Sequence, residues 1–260
     1  FSAMKALVTG ATGFIGSAVV RVLLDAGITV RALVRPRTNS LALNGLSIET
    51  VQGDLCDVVS LRAALNGCQH LYHVAAHYTL WARDPSIFYK VNVAGTKLLL
   101  EVARDLGVER IVYTSTIGTI GLPNDGGLGS EETPVSYNQM SGDYKLSKFL
   151  AEQEVLSLAK AGLPVVIVNP SAPIGVNDVK PTPTGQIIVD FMRGRMPAYI
   201  ETGLNLIDVE DVALGHLRAM ERGSIGERYI LGCRNLMLNE LFDMLSQLTC
   251  LLYTSPSPRD

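Results

Sequence analysis

The 260-residue chain has little of what several protein classes require. Its 4 cysteines, Cys56, Cys68, Cys233 and Cys250, never fall in C-x-x-C spacing, which argues against a disulfide framework or a zinc site. The net charge is −3 and charged residues make up only 18% of the chain, so no basic surplus exists to attract nucleic acid. No apolar run approaches the roughly 18 residues needed to cross a bilayer, and no signal-type segment is expected ahead of Met4. Histidine is scarce as well. His73 and His77 form an H-x-x-x-H pair, but it straddles a strand end, encloses no glutamate and lacks a third ligand, so no metal is expected. A cytoplasmic globular protein is the expectation that remains.

What the chain does have is apolar mass. Hydrophobic residues reach 47%, enough for the core of one large α/β domain or of a nucleotide-binding domain with a small appended lobe. An apolar run at Lys5–Thr9 meets a glycine-rich turn, and Phe14–Ala26 then shows helical spacing that stops at Gly27. Strands are predicted at Thr29–Val34, Ser47–Gln52, His70–Val74, Arg110–Thr114 and Val165–Asn169. Helices are predicted between them at Val58–Leu65, Pro85–Leu106 and Asp143–Ala161, with a glycine-rich loop at Gly118–Gly129. This alternation predicts an α/β, Rossmann-type doubly wound parallel sheet over residues 4–169. Beyond it, Pro170, Pro173, Pro181, Pro183 and Pro197 loosen the pattern. Helices at Gln186–Arg193, Val209–Arg222 and Asn239–Leu248 and a strand at Arg228–Leu231 are expected there. Residues 170–249 are thus expected to serve partly the sheet and partly a small, truncated C-terminal substrate lobe.

Two motifs carry chemistry. In Thr9-Gly10-Ala11-Thr12-Gly13-Phe14-Ile15-Gly16 the glycines are spaced G-x-x-G-x-x-G. Gly10, Thr12, Gly13, Phe14, Ile15 and Gly16 would cradle a pyrophosphate at the start of a helix, because small residues permit a tight turn and close approach. Downstream stands Tyr144-Lys145-Leu146-Ser147-Lys148, a Tyr-x-x-x-Lys pair whose members share one helix face. A cation beside a phenol favours the phenolate, which would bring Tyr144 towards a working proton donor and acceptor. Each motif is weak alone, but their order within one alternating chain reads as hydride transfer coupled to proton transfer. At the end of the second strand, Arg31-Ala-Leu-Val-Arg35-Pro36-Arg37 contains no acid to accept from ribose hydroxyls. Arg35, with Arg37 beside it, suits a 2′-phosphate, so NADP(H) is expected, with NAD(H) the alternative.

On these motifs the chain resembles the extended short-chain dehydrogenase/reductases, within the NAD-dependent epimerase/dehydratase group, from about Met4 to about Leu248. Asn169-Pro170-Ser171-Ala172-Pro173-Ile174-Gly175, Lys180-Pro181-Thr182-Pro183-Thr184-Gly185, Met196-Pro197-Ala198-Tyr199 and Thr202-Gly203-Leu204-Asn205-Leu206 narrow the likeness. They are most similar to the hopanoid-associated sugar epimerases, and next to dihydroflavonol reductase-like enzymes. The resemblance implies that Thr116, with Ser115 adjacent, hydrogen-bonds the reacting oxygen. It implies that Tyr144 exchanges the proton and that Lys148 binds the nicotinamide ribose and lowers the tyrosine pKa. Asp54 and Leu55 would lie by the adenine, Ala75 and Ala76 beneath the cofactor, Pro170 in the same cofactor set, and Asn92 in a supporting position.

Departures from the family pattern bear on the reaction. Ile117-Gly118 stands where sugar dehydratases carry Asp-Glu, which argues against dehydration. Leu204 and Asn205 precede Val209-Glu210-Asp211-Val212 where many nucleotide-sugar enzymes place an arginine. The expectation is an NAD(P)-dependent oxidoreductase or epimerase moving a hydride to or from a secondary alcohol or ketone of a sugar-like, amphiphilic substrate, with a link to hopanoid side chains. The alternatives are an NADPH-dependent ketone reductase and a non-catalytic NADP-sensing module. A small-molecule substrate, no nucleic-acid partner and a homodimer complete the reading. Phe1-Ser2-Ala3 reads as upstream read-through. Cys250–Asp260 can be encoded by a string resembling the transposon end and adapter of a tagmentation library. That tail is therefore expected to be adapter-derived and exposed, with Leu251, Leu252 and Tyr253 covering apolar surface, and the natural chain is expected to continue past Thr249.

Overall fold

The computed structural model describes residues 4–79, 82–123, 125–196 and 200–251. The expectations for Phe1-Ser2-Ala3, for Pro197-Ala198-Tyr199 and for the tail from Leu252 onward lie outside the described residues. Seven parallel strands form the main sheet: β1 Lys5–Thr9, β2 Thr29–Val34, β3 Glu49–Gln52, β4 His70–His73, β5 Arg110–Thr114, β6 Val165–Pro170 and β9 Arg228–Leu231, in the order β3-β2-β1-β4-β5-β6-β9. The central strands β1, β4, β5 and β6 are buried on both faces, which favours apolar runs, whereas the edge strand β3 is largely exposed. β6 is buried at every position: Val165 and Ile167 point to one helical layer, Val166 and Val168 to the other. The first layer holds α2 Val58–Leu65, α4 Thr96–Asp105 and α5 Asp143–Lys160. The second holds α1 Phe14–Asp25 and α7 Val209–Arg222. The predicted doubly wound sheet is therefore present. No helix among the described residues is long and apolar enough to cross a membrane.

The strand order reverses direction between β1 and β4, and open α/β sheets bind ligands outside the carboxyl ends of their strands at such a switch point. Gly10–Gly16 follows β1, Arg35 follows β2, Asp54 and Leu55 follow β3, and Ala75 and Ala76 follow β4. Thr116 follows β5, and Pro170 closes β6. The topology alone brings all of these to one rim.

The sequence pattern missed two features. The predicted helix Pro85–Leu106 is present, but α3 Ser86–Phe88 and α4 are joined within it by a wide π-type turn Tyr89–Gly95, with helical backbone at both junctions. Apolar spacing cannot register one extra residue in a turn, and such bulges concentrate at functional sites. A second sheet, β10-β8-β7, is built from β7 Ala172–Ile174, β8 Gly203–Asp208 and β10 Arg234–Met237. β7 is masked by its proline, and β8 and β10 by the polar residues within them. With α6 Pro183–Met192 and α8 Leu238–Thr249 they enclose a small core in which Phe191 stacks on Phe242 at 5.4 Å. α6 starts earlier than predicted because Thr182 caps it, accepting from Gly185 N at 3.1 Å, with Pro183 in the first turn.

Two histidines are buried as neutral rings. His216 Nδ1 donates to Val212 O and Nε2 accepts from Thr114 Oγ1, both at 2.8 Å. His73 lies between Thr9 Oγ1 at 2.7 Å and Thr96 Oγ1 at 2.9 Å, so both its nitrogens are engaged by hydroxyls within the core. Burial holds His73 down to about 3, with the Lys148 charge adding to the effect, and His216 down to about 4. The unfolded chain therefore binds more protons than the folded one below about pH 6.5, and stability falls as the pH drops through that window. At pH 5 each ring is expected to cost about 2 kcal/mol relative to pH 8. Thermal melts from pH 8 to pH 5 test this. A flat profile would mean that the two rings are not held neutral.

Candidate active site

The glycine turn has almost no spare room. Gly10 has φ +71°, and a Cβ there would lie 2.7 Å from Ala75 N. A Cβ on Gly16 would lie 2.1 Å from Gly10 O. The turn is thus pressed onto the chain after β4, and Ala75 N donates to Thr9 Oγ1 at 3.2 Å. Gly13 precedes α1 and supplies no side-chain cap, and the first turn carries no acidic residue. The leading N–H groups keep their capacity for an anion, and the helix dipole favours one. These residues fit a dinucleotide pyrophosphate.

At the next strand end Arg31 of β2 and Arg35 of the loop beyond it differ sharply. Arg31 is engaged internally: its Nε is 3.0 Å from Glu49 Oε1, and its guanidinium donates to Ala64 O and Asn66 O. Arg35 is exposed, and its guanidinium makes no hydrogen bond or ion pair among the described residues. It sits close enough to His77 that its charge, after burial, helps hold that imidazole below its ordinary pKa. Arg37 is also exposed, with φ +61°. Asp54 is exposed and accepts from Cys56 N at 2.8 Å, while Leu55 is buried against Gly95.

Asn92 is carried inward by the π-type turn and is 2% exposed. Its side chain accepts from His77 N at 2.7 Å and donates to His77 O at 3.2 Å and Ser147 Oγ at 3.0 Å. It therefore ties the loop after β4 to the helix that carries Tyr144 and Lys148. The extra residue of the π-type turn turns Asn92 towards this loop, a consequence the sequence pattern did not reveal.

Tyr144 is half-buried and meets Tyr78 edge-on, with ring centroids 4.8 Å apart, and Phe88 at 6.5 Å. Lys148 is 2% exposed. Its Nζ donates to Tyr113 Oη at 2.9 Å and Thr114 O at 2.8 Å and stands 4.5 Å from the Tyr113 ring centroid. The electrostatics correct one expectation. The resemblance implies that Lys148 lowers the Tyr144 pKa, but burial raises it, with Tyr78 adding to the rise. The helical spacing does place both residues on one face, yet no hydrogen bond joins the phenol to the ammonium, which is directed at the end of β5. Burial brings Lys148 itself down to about 7 against the opposing pull of Glu152.

Thr116 is half-exposed at the end of β5, and its Oγ1 accepts from Gly118 N at 3.2 Å, leaving its own proton free to donate. Ser115, its neighbour, is buried, and its hydroxyl lies 3.3 Å from Thr119 Oγ1. Pro170 is buried at the end of β6. Beneath Thr116 lies a polar cluster to which no motif assigned a role: Thr119, Glu152, Asn169 and Arg228. The only hint was a glutamate four residues beyond Lys148, on the same helix face. In the second sheet Asn205 Nδ2 donates to Asn235 Oδ1 at 2.8 Å, and its Oδ1 accepts from Cys233 N at 3.0 Å.

A glycine cradle at the switch point of a parallel sheet, facing a Tyr-x-x-x-Lys helix, defines a nicotinamide-dependent enzyme. The NAD dependent epimerase/dehydratase family matches residues 6–232, and the chain belongs to that family. It is 49% identical over 257 residues, 97% of this chain and 74% of the relative, to a protein of Synechocystis sp. provisionally named dihydroflavonol 4-reductase. It is 39% identical over 246 residues, 95% of this chain and 75% of the relative, to sterol demethylase protein B of Methylococcus capsulatus. The crystal structure of gox2253 matches with a TM-score of 0.92 at 51% identity, over 98% of this chain and 76% of that one.

Proposed function

We propose that the protein is an NADP(H)-linked oxidoreductase that interconverts a secondary alcohol and a ketone. The observation that carries this reading is the set Thr116, Tyr144 and Lys148 at the same strand-end rim as the glycine cradle. A bound nicotinamide would supply or accept the hydride. Thr116 Oγ1 would donate to the substrate oxygen and orient it. Tyr144, kept neutral by its buried surroundings, would give that oxygen its proton in reduction and recover it in oxidation. Lys148 would hold the ribose side of the cofactor and add positive charge where the phenolate develops. Gly10, Gly13 and Gly16 would hold the pyrophosphate; Asp54, Leu55, Ala75, Ala76 and Pro170 would line the remainder.

Net reduction is favoured over epimerisation by Arg35, which suits a cofactor exchanged at every turnover, and by Asn205, whose hydrogen bonds lie within the second sheet where a nucleotide-sugar enzyme needs a cation. The name of the Methylococcus relative and the resemblance to hopanoid-associated enzymes both favour a polycyclic, amphiphilic substrate. Assays of NADPH consumption against ketones, including polycyclic ones, separate the outcomes. Net oxidation of NADPH supports the reductase. Inversion of a carbinol centre with no net cofactor change would replace it with an epimerase.

Cofactor choice gives a second expected result. NADPH should bind more tightly than NADH, by a margin that shrinks at high salt because exposed charge pairs are screened. Arg35→Asp should reverse the order. Fluorescence titration reads both, and equal affinities in the unmutated protein would show that Arg35 is a solvated loop residue.

A further inference from the structure

The buried cluster under Thr116 has a chemistry of its own. Glu152 is 0% exposed on α5, two turns beyond Tyr144 and one beyond Lys148. Its Oε2 lies 2.8 Å from Thr119 Oγ1 and 2.9 Å from Asn169 Nδ2, and its Oε1 accepts from Arg228 at 3.2 Å. Every one of these neighbours can donate, the complement of an ionised carboxylate. The same side chains reach the catalytic segment: Asn169 Nδ2 donates to Thr116 O at 3.1 Å, and Thr119 Oγ1, 2.7 Å from that carbonyl, has one proton to place on either Thr116 O or Glu152. Arg228 is fixed in turn, donating to Glu131 O, while Glu131 Oε1 accepts from Ile230 N. One carboxylate thus links the ends of β5, β6 and β9 to the helix that bears Tyr144 and Lys148.

We propose that Glu152 is a positioning residue for the reaction: its buried carboxylate fixes the Thr116 segment through Thr119 and Asn169 and opposes the loss of the Lys148 proton. Residues four apart on a helix lie about 6 Å apart at Cβ, and a carboxylate at such range favours the ammonium. The other groups facing this region do not replace it. Tyr113 of β5 offers Lys148 a hydroxyl and a ring face, and His73 of β4 is held neutral by burial. Arg228 of β9 opposes the ammonium's charge but is paired to Glu152. Tyr89 of the π-type turn engages Asp143, Lys97 of α4 pairs with Glu154, and Lys145 is exposed. Burial acts against the ammonium and Glu152 is the group that opposes it. A lysine that loses its proton near neutrality could no longer add positive charge beside the developing phenolate.

The proposal rests on the catalytic roles given above, so its test reads Lys148 directly. The full chain is labelled with 13C at lysine Cε, and the Lys148 signal is assigned by its loss in Lys148→Met. Its titration midpoint should fall by about one pH unit or more in Glu152→Gln, the effect of removing a close opposite charge. Glu152→Asp should restore part of the shift. Arg228→Gln frees the carboxylate of its counter-charge and should move the midpoint the other way, which keeps the proposal testable if Glu152→Gln fails to fold. With an accepted ketone, the basic limb of the kcat profile should move down with the midpoint, while KM for NADPH at low pH stays put. An unmoved Lys148 midpoint in both the Glu152 and Arg228 variants would overturn the proposal. Failure to find any substrate would bear on the reaction and leave the lysine titration readable.

Discussion

Tyr144→Phe is expected to lower turnover by about 100-fold or more, the usual scale for losing a positioned acid or base, while the affinity for NADP(H) hardly changes. The substitution removes one oxygen and keeps the ring, so the edge-on contacts with Tyr78 and Phe88 survive. Lys148 also keeps its bonds to Tyr113 Oη and Thr114 O, because neither involves Tyr144. Any change is therefore chemical. Burial holds the phenol above its ordinary pKa, so it meets the substrate protonated and ready to donate. Steady-state kinetics beside NADPH titration checks the split. Near-normal turnover by the phenylalanine variant would remove Tyr144 from the reaction.

Gly16→Ala has the second large effect, and it acts on binding. The added methyl carbon would sit 2.1 Å from Gly10 O, inside any tolerable contact, and its neighbours there are backbone atoms that cannot swing aside. The start of α1 must then move away from the turn after β1. Overpacking of this kind costs about 1–3 kcal/mol of stability, and displacement of the cradle should weaken NADPH binding by about tenfold or more. Melting curves and titration on the same sample separate the two. A variant that binds NADPH normally would show that the turn does not hold the phosphates.

Much of this was legible in the chain because the centre of the main sheet is buried on both faces. Apolar strands, glycine stops and amphipathic helices repeat without interruption up to Asn169, and topology then brings their ends to one rim. What could not be read has local causes. The π-type turn adds a residue without altering the apolar count, so neither the widening of the helix nor the inward turn of Asn92 leaves a trace in periodicity. β7 is 3 residues long and contains Pro173, and β8 and β10 carry Asn, Asp and Arg among their apolar residues, which hides a strand pattern. The Tyr-x-x-x-Lys spacing did bring its two residues to one face, but spacing says nothing of burial, and burial reversed the expected direction of the Tyr144 shift. Glu152 leaves no signal in the sequence for the same reason: on an exposed helix it would be an ordinary solvated acid, and only its 0% exposure gives it a role.

Isotope tracing tests the central claim most directly. The full chain is incubated with NADPH carrying deuterium at the transferable ring position and with each ketone of the panel, and the products are read by mass spectrometry. The account predicts deuterium on the carbinol carbon of at least one product, with the label reduced about 100-fold in Tyr144→Phe at equal cofactor occupancy. Tight NADPH binding with no label in any product, or label that persists undiminished in the phenylalanine variant, would contradict it.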